Sequence, residues 1–247
     1  MENSFHGRTI TTVKATGQSS FHQSKFAPYP DGFSFNAIDD VYNAIDDETV
    51  AVMIELVQGE GGVFPFDKEK IKELAKFLKE NDILLIIDEV QTGVFRTGEF
   101  LASNLYDIEP DIITLAKGIG GGVPMGAVMT KHKDIWTAGD HGSTFGGNYL
   151  VTAAALEVLD ILENLKDSGT LDETIIYFTK KLNDIFEANR DIFITHVGLG
   201  LMRGLRVKDA DTLASLIKTA FEFGVMVLKS GNNTLRFLPA LTISKSE

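Results

Sequence analysis

One lysine, Lys117, lies between a short apolar segment and a glycine-rich stretch. The segment 112–115 has the composition of a buried strand, and the glycines within 118–122 leave room for another molecule close to the backbone. A lysine that is desolvated at such a place pairs with an acid or loses its proton, and the neutral amine is a nucleophile. We therefore predict that Lys117 forms a covalent bond with a carbonyl cofactor. The alternative is a loop lysine whose ammonium extends into solvent.

A second candidate, Asp88, ends an apolar run of strand length at 83–87. Open α/β sheets bind their ligands at the carboxyl ends of strands. A buried carboxylate is costly unless it faces a cation or several donors, and the protonated ring nitrogen of pyridoxal phosphate (PLP) is such a cation. A lysine for the aldehyde and an acid for the ring are the groups that PLP chemistry requires of a protein. The alternative role of Asp88 is to cap a helix after the strand.

The chain resembles the class III (ornithine-type) PLP-dependent aminotransferases over essentially its whole length. The resemblance is carried by ordered motifs: SFHGRT (4–9), ATGQ (15–18), VQGEGG (57–62), IIDEVQTG (86–93), TLAKG (114–118), GVPMGA (122–127), HGSTFGGN (141–148) and LRF (235–237).

The fold that this resemblance implies is α/β, that of fold type I PLP-dependent transferases. Its large domain has a mostly parallel sheet, and its smaller C-terminal domain is α+β. We expect residues 1–147 to form the PLP-binding large domain, residues 148–190 to form connecting helices and residues 191–247 to form the small domain.

The resemblance also implies a set of cofactor contacts. Lys117 holds PLP and, once the substrate amine has released it, moves a proton as general base and acid. Asp88 keeps the ring nitrogen protonated. The remaining contacts are Phe5 and Val90 on the two ring faces, Gln91 at the ring hydroxyl, and Ser143 and Thr144 at the phosphate of a neighbouring subunit.

Substrate contacts are implied for three charged residues. Arg8 binds a substrate carboxylate and Arg236 binds the α-carboxylate of glutamate, since the planar fork of arginine pairs with two oxygens at once. Glu60 acts as a gate that pairs with the carboxylate-binding arginine, so that one site accepts two substrates of different charge. In the same family the acid at Glu55 supports Gln91.

The implied reaction is transamination of N-acetylornithine with 2-oxoglutarate, which gives N-acetylglutamate semialdehyde and glutamate in arginine biosynthesis. The partners are then a small-molecule amino donor, a 2-oxo acid acceptor and a second copy of the chain, in a homodimer with shared active sites. Ornithine, 4-aminobutyrate and succinyl-diaminopimelate are alternative donors, because the site motifs are largely shared. A truncated, inactive remnant is an alternative of a different class.

Two departures from the family pattern lead to further expectations. Residues 1–36 do not supply the phosphate-binding helix start that the family carries before the motif at 4–9, and the chain stops soon after Arg236. We expect the central and C-terminal part of an aminotransferase, with apolar surface exposed in the isolated chain. The family also commonly has glycine where this chain has Phe95, before Arg96.

Composition narrows the setting. The 247 residues include 35 acidic and 23 basic side chains, and the formal net charge of −12 argues against a nucleic-acid or anionic-membrane surface. The absence of cysteine excludes disulfides and thiolate metal sites and suits a reducing cytosol. No apolar run approaches the ~20 residues of a membrane span. We expect a cytoplasmic protein without a metal site, in which His6 is a structural hydrogen-bonding residue.

The hydrophobic pattern predicts the elements that position these residues. Predicted helices are 37–49, 67–81 with Asp67 as cap, 148–189 with a break near 167–169, and 210–223. Predicted strands are 50–56, 83–87, 112–115, 127–129, 193–197, 201–207, 225–228 and 234–237. Residues 1–36 are predicted to be a strand end and a long loop.

Overall fold

The structure is a computed structural model and describes residues 1–23 and 30–247. The helices are α1 (Ile10–Ala15), α2 (Val41–Ala44), α3 (Lys68–Glu80), α4 (Ala102–Tyr106), α5 (Tyr149–Asp167), α6 (Thr170–Ala188) and α7 (Ala210–Glu222), with 3-10 turns at Ser19–Gln23 and Lys117–Gly120. The strands are β1 (Ala51–Ile54), β2 (Val57–Gln58), β3 (Phe64–Pro65), β4 (Leu84–Asp88), β5 (Ile112–Leu115), β6 (Ala127–Thr130), β7 (Phe193–Leu199), β8 (Met202–Val207), β9 (Leu228–Ser230) and β10 (Thr234–Phe237). Within the described residues, none of the helices combines the length and the apolar composition needed to cross a membrane.

The first sheet has the strand order β1-β4-β5-β6, in which β1, β4 and β5 are parallel and β6 is antiparallel. The predicted α/β architecture with a mostly parallel sheet is therefore confirmed. Parallel strands end at the same edge of a sheet, which is where such sheets bind ligands. Glu55, Asp88 and Lys117 all lie at or just beyond these strand ends. The sheet thus brings together three residues that are up to 62 positions apart in the sequence.

Helix α3 covers one face of this sheet. Its buried side chains Ile71, Leu74 and Leu78 share a core cluster with Ile54 and Ile87 of the parallel strands. Burial of an aliphatic side chain of this size stabilises the fold by about 1.5–3 kcal/mol. This packing fixes the strands whose ends carry the site.

The second sheet is antiparallel, with the order β7-β8-β10-β9. Leu235 of β10 packs in a core with Leu205 of β8, Leu182 of α6 and Leu213 of α7. Successive side chains of a strand point to opposite faces. Arg236 therefore lies on the face away from this core, where it meets residues of the first half of the chain.

Several predicted elements are confirmed almost to the residue. Helix α3 begins after Asp67, whose Oδ1 accepts hydrogen bonds from the backbone N–H groups of Glu69 and Lys70, both at 3.0 Å. The break between α5 and α6 occurs at Gly169, which has a φ of 77°. Only glycine adopts that conformation without a steric cost, so the sequence signal was specific here.

The helix predicted at 37–49 is wrong in extent, because only Val41–Ala44 is helical. Asp46 ends it: its Oδ1 accepts from the Glu48 N–H at 3.1 Å and from the Thr49 hydroxyl at 2.7 Å, and this turn competes with helix. Similarly, the strand predicted at 225–228 begins only at Leu228.

The prediction of an irregular N-terminus is also wrong in part. Residues Ile10–Ala15 form the helix α1 within the predicted long loop, and Ser19–Gln23 form a 3-10 turn. Residues 24–29 of that loop lie outside the described residues. The predicted strand 50–56 is shorter in the structure, where β1 spans Ala51–Ile54 and the separate strand β2 begins at Val57.

Candidate active site

Lys117 begins the 3-10 turn after β5 and has a φ of 51°, which is uncommon for a residue with a side chain. Solvent reaches this lysine, so its desolvation is only partial. Protein atoms crowd its other sides, and this partial desolvation lowers the pKa of the ammonium, while the charges of Asp88, Glu55 and Glu60 act in the opposite direction. Water access limits the lowering. The positive charge of Arg236 also acts on Lys117, so these charged groups all lie near its ammonium.

Asp88 ends β4 with its carboxylate buried and both oxygens hydrogen-bonded. Its Oδ2 lies 2.8 Å from His6 Nδ1. Its Oδ1 accepts from the Val90 backbone N–H at 3.0 Å and from the Thr114 hydroxyl at 3.2 Å. Asp88 does not cap a helix in this structure, so the alternative role considered for it is wrong.

Glu89, which the sequence reasoning missed, does the capping instead. Its buried carboxylate accepts from the backbone N–H groups of Ala102 and Ser103 at 3.0 and 2.8 Å, at the start of α4, and from the hydroxyls of Thr92 and Ser103. Helix α4 has no capping side chain of its own, because Leu101 occupies the cap position. No helix was predicted at 102–106, so the sequence carried no signal for this role of Glu89.

Glu55 follows β1 and is almost inaccessible to solvent. Its Oε2 accepts from the Phe5 backbone N–H at 2.8 Å, and its Oε1 accepts from the Gly59 N–H at 3.4 Å. Burial raises the pKa of this carboxyl to about 8, with a smaller contribution from the negative charge of Asp88. The expected support of Gln91 by Glu55 does not occur among the hydrogen bonds of the described residues.

Gln91 instead contacts Arg236. The Nη1 of Arg236 donates to Glu60 Oε1 at 2.7 Å, to the Gly59 carbonyl at 2.9 Å and to Gln91 Oε1 at 3.2 Å. The side chain is 8% exposed, and its Nε is buried without a hydrogen-bond partner in the described residues. One edge of the guanidinium is therefore saturated by the protein, while Nε remains available for an anion.

Phe5 and Arg8 lie on the N-terminal segment beside this cluster. The Phe5 ring lies 5.2 Å from the Phe21 ring, and the Arg8 guanidinium lies over both rings at 5.7 and 4.9 Å. Arg8 is exposed, so its charge is free to meet a ligand. The backbone bond from Phe5 to Glu55 ties this segment to the end of β1.

Ser143 and Thr144 do not lie beside Lys117 and Asp88. They belong to the segment 131–150, in which every residue is exposed. The Ser143 hydroxyl accepts from the Gly146 N–H at 2.9 Å, and Asn148 caps α5. Neither hydroxyl contacts Lys117 or Asp88 in the described part of the chain.

The fold and this cluster define an α/β protein of the PLP-dependent transferase class. A family model described as aminotransferase class III matches residues 1–247, so the chain belongs to the class III aminotransferases. The acetylornithine aminotransferase of Wolinella succinogenes is 56% identical to the whole chain. The succinylornithine transaminase of Salmonella enteritidis is 43% identical, also over the whole chain.

Among solved structures, that of the ornithine aminotransferase from Toxoplasma gondii, described with partial PLP occupancy at its active site, superposes with a TM-score of 0.90 at 30% identity. It covers 99% of this chain, which in turn covers 59% of it. This chain spans 63% of the Wolinella relative and 62% of the Salmonella relative.

Proposed function

We propose that this chain carries the active site of a PLP-dependent aminotransferase that moves an amino group from N-acetylornithine to 2-oxoglutarate. The observation that carries the proposal is the placement of the charged groups. Lys117 follows β5, Asp88 ends the neighbouring strand β4, and the paired side chains of Glu60 and Arg236 lie near enough for their charges to act on the Lys117 ammonium. An amine, an acid at the end of the neighbouring strand and a carboxylate-binding cation are the groups that transamination needs.

The residues present fit PLP. Asp88 is buried at the strand end and has donors on both oxygens, which suits a carboxylate that must stay ionised beside a protonated ring nitrogen. Phe5 precedes His6, which bonds to Asp88, and the Val90 N–H donates to Asp88 directly. These two side chains would cover the ring, with Gln91 at the ring hydroxyl. When bound, PLP supplies an electron sink for the substrate carbon that loses its proton.

Lys117 is the proposed proton carrier. Its Nζ would hold the cofactor aldehyde and, when the substrate amine replaces it, take the proton from the substrate carbon that bears the amino group and return it to the cofactor side. The lowered pKa of Lys117 favours this role, because a neutral amine is needed to accept a proton. The glycines after Lys117 leave its amine accessible.

Arg236 and Glu60 are the proposed selectors of charge. Glu60 neutralises Arg236 when the substrate bears no carboxylate at this position. A dicarboxylate such as 2-oxoglutarate would displace Glu60 from Nη1, and the unpartnered Nε is a further donor on the same guanidinium. Arg8, exposed above the Phe5 ring, would bind the second carboxylate.

The choice of donor is supported by the relatives. The Wolinella relative is named for acetylornithine and the Salmonella relative for succinylornithine. Both names specify an ornithine whose amino group is acylated. The structural neighbour from Toxoplasma is named for ornithine itself, so free ornithine is the second candidate donor.

A homodimer completes the proposal. Ser143 and Thr144 would bind the phosphate of the neighbouring subunit's cofactor, and this is supported by the apolar surface around them. Phe145 is 80% exposed and Tyr149 is 95% exposed, which is unusual for large aromatic side chains unless another surface covers them.

We also propose that the chain is divided into a large domain (1–147), connecting helices (148–190) and a small domain (191–247). We propose a cytoplasmic location as well.

The proposal is tested by measuring glutamate formation from 2-oxoglutarate with N-acetylornithine, ornithine, 4-aminobutyrate and succinyl-diaminopimelate as donors. The highest kcat/KM is expected with N-acetylornithine, and Lys117→Ala abolishes the reaction. Lys208→Ala removes an exposed lysine and serves as the control. Preference for another donor would overturn the substrate assignment, and activity in Lys117→Ala would overturn the role of the lysine.

A further inference from the structure

His6 is the residue that holds Asp88 from the side. Its ring is 1% exposed, and its Nδ1 lies 2.8 Å from Asp88 Oδ2. The His6 backbone N–H donates to the hydroxyl of Thr16 at 2.9 Å, and Thr16 is itself inaccessible to solvent. The N-terminal segment thus reaches across 82 residues of sequence to the end of β4.

The second ring nitrogen fixes the tautomer. His6 Nε2 is buried and has no hydrogen-bond partner in the described part of the chain. A hydrogen on Nε2 would be a buried donor without an acceptor, which is costly, whereas a lone pair there costs less. In the neutral ring with its hydrogen on Nδ1, Nδ1 donates to Asp88 Oδ2 and Nε2 carries only a lone pair.

The acceptor sites of Asp88 can be counted in turn. A carboxylate has about four lone-pair positions. His6, the Val90 N–H and the Thr114 hydroxyl take three of them. One acceptor position is left for a ligand, and the three donors together prevent the carboxylate from rotating.

We propose that His6 is a positioning residue which, as a neutral Nδ1–H donor, fixes the Asp88 carboxylate so that its one free acceptor position serves the ring nitrogen of the cofactor. This inference rests on the proposed function, since it assumes that Asp88 meets a protonated pyridine. His6 itself does not touch the reacting atoms, and its effect is transmitted through Asp88.

Two variants separate the donor from the bulk of the side chain. His6→Asn places an amide N–H near the position of Nδ1, and His6→Leu fills similar space without a donor. The dissociation constant of PLP, measured by fluorescence titration, is expected to rise about tenfold in His6→Leu, which corresponds to about 1.4 kcal/mol. In His6→Asn it stays within about threefold of wild type.

A spectroscopic measurement accompanies the affinities. With 15N-labelled PLP, the ring-nitrogen shift reports a protonated pyridine in the wild type and in His6→Asn, and a shift towards the unprotonated value in His6→Leu. If both variants bind PLP as the wild type does, with unchanged ring-nitrogen shifts and similar melting temperatures, His6 has no positioning role.

The unliganded protein provides the test that does not depend on PLP. The 15N spectrum of its histidines, with the His6 signal assigned from His6→Asn, is expected to show a hydrogen on Nδ1 and none on Nε2. A hydrogen on Nε2 overturns the inference. Failure of the wild type to bind PLP would overturn the proposed function instead. In that case the observed His6 tautomer alone would show whether His6 donates to Asp88.

Discussion

Arg236 Nη1 lies 2.7 Å from Glu60 Oε1, and this ion pair joins the antiparallel sheet to the glycine-rich loop after β2. The same loop is fixed by further bonds, since the Ser230 hydroxyl donates to the Gly59 carbonyl at 2.7 Å and the Gly231 N–H donates to the Glu60 carbonyl at 2.9 Å. The backbone around Glu60 is therefore anchored, while its side chain is 35% exposed. Movement of the Glu60 side chain would remove the carboxylate partner of Arg236, while the Gly59 carbonyl and Gln91 Oε1 would still accept from Nη1.

Neutralising Glu60 should strengthen the binding of a dicarboxylate. In Glu60→Gln the competing charge is removed and Arg236 is left without a counter-ion, so the dissociation constant of 2-oxoglutarate is expected to fall about three- to tenfold by calorimetry. Glu157→Gln, which alters an exposed glutamate on α5, is the matched control. An unchanged or weaker affinity in Glu60→Gln would show that this pair does not compete with the substrate.

Replacing the guanidinium of Arg236 by an ammonium should weaken the binding of a dicarboxylate. Lys presents a single point charge and cannot bind a carboxylate with two parallel bonds. The dissociation constant of 2-oxoglutarate is expected to rise at least tenfold in Arg236→Lys, or about 1.4 kcal/mol. Arg190→Lys changes an exposed arginine that pairs with Glu187 and should leave the affinity as it is. Equal affinities in the two variants would remove Arg236 from the binding site.

Glu55 should make stability depend on pH. Its pKa is raised to about 8 in the folded protein, chiefly by burial, so the protonated carboxyl is the form that the fold favours. A raised pKa gives stability that is present below the unfolded value and is lost as the pH rises through the folded value. Between about pH 4.5 and pH 8 the wild type should therefore lose unfolding free energy relative to Glu55→Gln.

The difference should reach up to about 5 kcal/mol, at ~1.4 kcal/mol per pH unit, and level off above pH 8. Urea unfolding of both proteins across this range measures it, with Glu157→Gln as an exposed control. A difference that stays constant with pH would mean that Glu55 is ionised throughout in the folded chain.

Phe95 combines a buried ring with an unfavourable backbone. It has a φ of 64°, is 5% exposed and packs its ring 5.8 Å from that of Phe100. Removing the ring costs about 3–5 kcal/mol, and a side chain in this conformation costs roughly 1–2 kcal/mol that glycine does not. Phe95→Gly is therefore expected to be less destabilising than Phe95→Ala by about 1 kcal/mol. Urea denaturation of both variants gives the order, and a more stable Phe95→Ala would contradict it.

The candidate site could be proposed from the sequence because its chemistry is carried by short local motifs. Lys117 after one strand and Asp88 at the end of the next are fixed by the hydrophobic pattern, and a parallel sheet brings such strand ends together. The hydrogen-bond partners of a buried acid could not be predicted in the same way, because they depend on packing between distant segments. Glu55 bonds to the backbone of Phe5, 50 residues away, and no local pattern encodes that contact.

Solvent exposure was equally hidden from the sequence. Lys117 follows a buried strand in the sequence, yet its left-handed backbone turns the chain out of the strand direction and leaves one side of the lysine in contact with solvent. The prediction of a helix at 37–49 was wrong for a local reason. Asp46 and Thr49 form a hydrogen-bonded turn, so the helix ends before them despite the helical spacing of the apolar residues. The latter error was avoidable, since an Asp with Thr three residues later is a turn signal.

The central claim is that Lys117 stands where a PLP carbonyl binds opposite Asp88. It is tested most directly by the visible absorbance of the purified chain mixed with PLP, in wild type, Lys117→Ala and the control Lys208→Ala. The account predicts the band of lysine-bound PLP in wild type and in Lys208→Ala, and its loss in Lys117→Ala. The same band in Lys117→Ala, or no band in any of the three proteins, would contradict it.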